Sequence, residues 1–267
     1  SHLIAMRSHW GAMQPELPGW GIEFSTSDMS IWPGPGNSEL KIEFIDVNQP
    51  ATPALATSIS LDGTLIDSRR VGDTLYVITR YDPWLAALQF EEVAGQARSD
   101  NEAALSGTEL AELLPQYRQG DMAAPLSDDC YAPSDTQPEH GYYSMVNITA
   151  IDLTARQVVS SECLSTGVNS MTMSPNALYL TSNDWRESES RTIIHKFDLT
   201  DSGASYSATT SVLGHINGDA PYRVNEYNGD LRVVTTRGDW NQPSHHLSIL
   251  RQSGSGFDIV AELPNSA

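Results

Sequence analysis

Three copies of one short phrase predict an all-β fold built from radially repeated, four-stranded antiparallel sheets, a β-propeller. The phrase is Leu75-Tyr76-Val77-Ile78-Thr79, then Leu178-Tyr179-Leu180-Thr181, then Leu231-Arg232-Val233-Val234-Thr235. Each copy follows a turn: Val71-Gly72-Asp73-Thr74, Ser174-Pro175-Asn176-Ala177 or Asn228-Gly229-Asp230. Each is also preceded by an aspartate-centred strand: Ile45-Asp46-Val47, Ile151-Asp152-Leu153 or Phe197-Asp198-Leu199. Self-similarity of short strands over some tens of residues is the mark of blades, and the whole chain, residues 1–267, reads as one such domain or a portion of it.

The strands fall in order along the chain. From Leu40 apolar residues alternate, with Leu40, Ile42 and Phe44 on one face, and further strand-like stretches run at 55–59, 65–70 and 75–80. These four make a first complete unit. A second begins at Met145-Val146-Asn147-Ile148 and ends on Leu178-Tyr179-Leu180; a third begins at Thr192-Ile193-Ile194-His195 and ends on residues 231–236. A fourth opens at His246-Leu247-Ser248-Ile249-Leu250 and is incomplete. Asp62-Gly63 and Asn228-Gly229 supply the residues that tolerate positive φ where strands reverse tightly. Leu3-Ile4-Ala5 reads as a partial echo of the phrase, the last piece of a blade whose earlier strands are absent, so the expectation is an excised portion of a longer propeller. Residues 7–37, with Trp10, Trp20 and Trp32 among prolines and glycines, read as an ordered but irregular excursion.

Residues 82–143 break the pattern and form an acidic, partly helical insertion between blades. They carry twelve carboxylates against Arg98 and Arg118, which is −10 of the chain's net −19. Asp82-Pro83 fits an N-cap followed by a first helical position, and Thr108 is placed to cap residues 109–114. Cys130 and Cys163 are the only cysteines. They read either as a disulfide, worth about 3 kcal/mol in an oxidising compartment, or as two buried thiols; we take the bridge, because Cys130 lies in a Pro/Asp-rich loop that needs anchoring.

The stretch from Ser60-Leu61-Asp62-Gly63-Thr64-Leu65-Ile66-Asp67-Ser68-Arg69 to Leu75-Tyr76-Val77-Ile78-Thr79 resembles the core of secreted or envelope proteins with a C-terminal β-propeller distantly related to WD-type repeats. Thr192-Ile193-Ile194-His195-Lys196-Phe197 and residues 226–236 are similar to later signatures of that family. The resemblance spans residues 40–263. It implies a propeller in a bacterial or archaeal extracytoplasmic protein, whether periplasmic, cell-surface or secreted, and brings no catalytic residues.

Local chemistry is sparse. Asp67-Ser68-Arg69 lacks the glycine elbow of a hydrolase nucleophile and reads as a blade-stabilising ion pair. The adjacent His245 and His246 point to opposite faces if they lie in a strand, and no metal site is assigned. His195 and His215 read as isolated structural histidines. The more suggestive set is Trp84, Trp185 and Trp240, each just beyond the repeated phrase in Asp82-Pro83-Trp84, Asn183-Asp184-Trp185 and Gly238-Asp239-Trp240. Equivalent positions in successive blades share a rim, so Trp84, Asp184, Trp185, Asp239 and Trp240 are candidate binding residues, aromatic anchors beside acceptors. The competing expectation is that these indoles pack beneath loops.

Only Lys41 and Lys196 are lysines, and 34 acidic residues face 15 basic ones. Such a field repels phosphate backbones, so no nucleic-acid partner is expected. No apolar run is long enough to cross a membrane as a helix. The expected function is a non-enzymatic binding or scaffold module for protein or polysaccharide, with no cofactor. The alternative is a hydrolase or metal-dependent enzyme with its site on the central channel, which would leave no local motif.

Overall fold

The computed structural model describes residues 2–9, 38–83, 85, 87, 96–132, 144–185, 189–200, 202–218, 220–238 and 241–264. Its strands are β1 (His2–His9), β2 (Glu39–Asp46), β3 (Ala54–Asp62), β4 (Thr64–Val71), β5 (Thr74–Tyr81), β6 (Gln116–Gln119), β7 (Met122–Pro125), β8 (Met145–Asp152), β9 (Gln157–Ser165), β10 (Ser170–Met173), β11 (Ala177–Asp184), β12 (Arg191–Thr200), β13 (Gly203–Leu213), β14 (Val224–Tyr227), β15 (Asp230–Arg237), β16 (Ser244–Ser253) and β17 (Gly256–Leu263). They form four antiparallel sheets. Sheet A has the order β1-β2-β3-β6-β7, sheet B β4-β5-β8-β9, sheet C β10-β11-β12-β13 and sheet D β14-β15-β16-β17.

The sheets do not coincide with the units read along the sequence. The strands at 40–44 and 55–59 belong to sheet A, whereas those at 65–70 and 75–80 begin sheet B. The repeated phrase is therefore the second strand of its sheet, not the last. The aspartate strand is the third, and pairing puts Leu3, Leu75, Leu178 and Leu231 at one register, opposite Ile45, Ile151, Phe197 and Leu250. β1 accordingly opens sheet A at the phrase's position, paired along its length with β2. Asp46 and Asp152 end their strands for a local reason: Asp46 accepts the N–H of Asn48, and Asp152 those of Thr154 and Ala155, turning the chain back into the fourth strand.

Three apolar seams join the row. Leu40, Ile42, Phe44, Ile59 and Leu61 of sheet A meet Leu75, Val77 and Ile151 of sheet B. Tyr76, Ile78, Val146, Ile148 and Ala150 of sheet B meet Met171, Leu178, Leu180 and Phe197 of sheet C. Tyr179, Ile194 and Val212 of sheet C meet Val224, Leu231, Val233 and Leu250 of sheet D. Sheets B and C thus turn the phrase leucine towards the sheet before and the next residue, a tyrosine, towards the sheet after.

The phrase tyrosine locks each seam it faces. Tyr76 donates from its hydroxyl to the carbonyls of Thr200 and Gly203 across the B–C seam. Tyr179 donates to Glu226 Oε2 at 2.9 Å across the C–D seam, where Ser174 Oγ donates to the same oxygen at 2.8 Å. Burial and the Glu226 carboxylate hold the Tyr179 phenol protonated.

The insertion lies elsewhere than expected. Residues 82–143 connect β5 to β8, which pair within sheet B, so the excursion leaves from inside one sheet. Its hairpin β6–β7 adds to the edge of sheet A through Leu61↔Tyr117 and Ser60↔Arg118, with Arg118 Nη1 on Asp62 at 2.7 Å. A disulfide from Cys130 to Cys163 ties the segment to sheet B, and Tyr131 stacks on Tyr206 of sheet C with centroids 4.9 Å apart. One strap therefore touches three sheets. Its helices are α1 (Gln96–Ser106) and α2 (Leu110–Leu113). Asp82 caps neither: it accepts from Arg80 Nε at 3.2 Å and Ser144 Oγ at 2.6 Å. Thr108 donates to Ala104 O at the end of α1 rather than capping α2.

Two glycines carry the chain from one sheet to the next. Gly63, between β3 and β4, has φ +109°, and a Cβ there would lie 2.6 Å from Arg80 O. Gly214, leaving β13, has φ +90° and the same conflict with Thr236 O at 2.7 Å. Arg80 and Thr236 are equivalent positions of the second strand, so the crossover presses the backbone against a carbonyl. Gly72 also has positive φ but open space around it. Gly63→Ala and Gly214→Ala are expected to lower the unfolding free energy by more than about 2 kcal/mol, and Gly72→Ala by only about 1 kcal/mol, since it keeps the backbone penalty alone. Urea titration of the three variants checks this, and equal losses at all three would contradict it.

His195 is buried on β12 with Nδ1 2.7 Å from Thr209 Oγ1, and burial lowers its imidazole to about 4. The unfolded chain binds this proton more tightly than the folded one. The neutral ring's contribution is therefore complete above pH 6.5 and is lost as pH falls towards about 4. Over that window stability should fall by roughly 3 kcal/mol through this residue. Denaturant midpoints against pH should show a flatter acid limb in His195→Gln; identical limbs would contradict the assignment.

Candidate functional site

The rim beyond the second strands is reached where β11 ends. Asp184 is the last residue of β11, half-buried and in register with Arg191. Trp185 follows at 62% exposure, the one indole among the described residues. Its ring lies 4.7 Å from that of His215, tilted by 42°. Trp84, Asp239 and Trp240 lie outside the described residues.

A polar latch holds this pair in place. Asn183, on the strand just before the indole, donates from Nδ2 to Ile216 O and accepts from Ile216 N at Oδ1, both at 3.1 Å. Thr192 Oγ1 donates to the same Oδ1 at 3.2 Å and to Gly214 O at 2.9 Å. On its other side His215 exchanges backbone bonds with Thr236 at 3.0 and 2.9 Å. The segment 214–216 is thus bound to sheet C by side chains and to sheet D by backbone. Ser190 Oγ lies 3.4 Å from His215 Nδ1, and burial lowers the imidazole's pKa, keeping the ring neutral.

Such a platform offers an exposed aromatic face on a fixed base at the C–D seam. A fixed indole loses little entropy on binding and covers a large apolar area, suiting the CH face of a sugar or an apolar side chain. His215 was the residue missed by sequence reasoning, which read it as an isolated structural histidine. The signal that could have found it is the glycine before it: Gly214 repeats the position of Gly63, which places His215 at the crossover beside the rim.

The other candidates are structural. Asp67 accepts the N–H of Ser68 at 2.7 Å, and among the described residues no ion pair joins it to Arg69. His245 and His246 fall on opposite faces of β16, against Thr236 Oγ1 and Ser244 Oγ, both at 3.1 Å. Among the described residues no group of three or more His, Cys, Asp or Glu is placed to hold a metal ion. Among the described residues no helix is long and apolar enough to cross a membrane.

A family model described as Beta propeller domain matches residues 16–267. No curated protein matches the chain.

Asn183→Ala leaves the backbone groups of Ile216 without partners and should lower stability by about 2 kcal/mol. It should also abolish the cross-peaks between the Trp185 and His215 rings in a nuclear Overhauser spectrum. Retained cross-peaks would show that the latch does not position the pair.

Proposed function

We propose, from the premise that the chain belongs to the Beta propeller domain family, that it is a non-enzymatic binding module that recognises protein or polysaccharide through one rim. The observation that carries this reading is Trp185, exposed yet held over His215 by a latch that joins two sheets. An indole with no binding task gains more by packing, and this one stands in solvent on a rigid support. The propeller supplies the support: the second strands end on one rim, so a ligand laid across it meets residues from neighbouring sheets. Carboxylates of the chain, net −19, favour neutral or cationic ligands over anionic ones.

The module works outside the cytoplasm in this reading. The Cys130–Cys163 disulfide favours an oxidising compartment. The resemblance of residues 60–79 to secreted and envelope propellers related to WD-type repeats supports the same placement.

Binding of wild type and Trp185→Ala to glycan and protein arrays tests the proposal. Loss of the indole should weaken a retained ligand by tenfold or more, with an unchanged melting temperature. Unaltered binding, or a variant that unfolds, would assign Trp185 to packing instead.

A further inference from the structure

The crossover from sheet C to sheet D is strapped to the rim of sheet C one strand at a time. Gly214 O accepts from Thr192 Oγ1 on β12 at 2.9 Å, Ile216 exchanges two bonds with Asn183 on β11, and Ala220 N donates to Ser170 Oγ on β10 at 2.8 Å. The strap thus leads from β13 across the sheet to the first strand of the next one. It closes in a single 3-10 turn, Ala220–Tyr222, where Arg223 N donates to Ala220 O and Val234 N to Arg223 O, both at 2.8 Å. Tyr222 ends this path at 85% exposure, the most open tyrosine among the described residues. Between it and Trp185 lies Asn169, exposed and next to the start of β10. Its N–H donates to Thr181 O at 2.8 Å, and its Oδ1 accepts from Asn183 N at 2.6 Å. The amide is fixed by these bonds, and among the described residues no group takes up its Nδ2. Trp185 follows Asn183 by two residues and Tyr222 follows Ala220 by two, so at about 3.3 Å per residue the two rings stand on the order of 10 to 15 Å apart, with Asn169 between them.

We propose, taking the rim as the binding surface, that its ligand is a neutral oligosaccharide laid across the end of sheet C, with one sugar ring on Trp185, another on Tyr222 and a hydroxyl between them on Asn169 Nδ2. A pyranose ring offers a flat CH face to an aromatic ring and hydroxyls around its edge, which is the pairing of apolar and polar groups that this row presents. An extended peptide is served less well. Strand ends, not a strand edge, form the rim, so a peptide finds no run of free backbone N–H and C=O groups to pair with. Sugars bearing carboxylates or sulfates are repelled by the chain's net charge of −19. The support is rigid at both stacking positions, because the same strap that carries Tyr222 holds His215 against the indole.

Isothermal titration calorimetry with neutral glucose, xylose, mannose and N-acetylglucosamine oligosaccharides, from monomer to hexamer, tests this. Affinity should rise with length until both rings are covered and then level off. Trp185→Ala and Tyr222→Ala, both at exposed positions and checked for folding by circular dichroism, should each weaken the longest bound sugar by about tenfold and flatten the dependence on length. Asn169→Asp keeps the acceptor for Asn183 N and removes only the outward donor, so it should weaken binding with the melting temperature unchanged. Binding of none of these sugars, a monosaccharide held as tightly as a hexamer, or sugar binding untouched by Tyr222→Ala would overturn the proposal. If protein is captured through Trp185 and no glycan is, the rim remains a binding surface and the oligosaccharide is excluded; if Trp185→Ala changes no binding at all, the rim reading falls with it.

Discussion

A sheet apolar on both faces cannot stand alone, and that constraint shapes everything else in this molecule. The repeated phrase places a leucine towards the preceding sheet and a tyrosine, isoleucine or methionine towards the following one. Burial must therefore come from neighbours on both sides, and stability is shared along the row rather than held in one centre. Sheets B and C have both neighbours within the chain. Among the described residues, sheets A and D have one each.

Polar groups then decide how neighbours sit. The Tyr76 and Tyr179 hydroxyls reach across the seams to carbonyls and a carboxylate, which fixes the slide of one sheet on the next in a way that apolar contact alone does not. Crossover glycines set the approach where the chain changes sheets, since any Cβ at Gly63 or Gly214 meets a carbonyl of the strand it passes. The insertion acts from outside, with a hairpin on sheet A, a disulfide on sheet B and Tyr131 on Tyr206 of sheet C. The rim platform is a by-product of the same construction: the residues that hold Trp185 and His215 are those that bind sheet C to sheet D.

Much of this was legible in the sequence, because the Leu-Tyr-Val phrase and its aspartate strand are dictated by local rules: alternation, burial and turn chemistry. Phase was not legible. Whether a repeat begins at its first strand or its third depends on which strands pair, and pairing is a tertiary choice that the order of strands along the chain leaves open. The β6–β7 hairpin escaped for a related reason: Gln116-Tyr117-Arg118-Gln119 has no apolar run of its own and becomes strand only by adding to β3. Likewise Asp82 and Thr108 carry the chemistry of helix caps, but each found a better partner, Asp82 in Arg80 and Ser144, Thr108 in a carbonyl of the preceding helix. At the rim, Trp185 could be named from its place after the phrase, whereas its neighbour His215 lies 30 residues further on and meets it only through the crossover.

If the seams carry the stability, protection from hydrogen exchange should follow the covering of the sheets. Native-state exchange measures this directly. The account predicts that β5, β8, β11 and β12, in the sheets covered on both faces, are the last to exchange, with β2 and β16 opening earlier and at lower free energy. Equal protection in β2, β8 and β16, or greater protection in the end sheets, would contradict it.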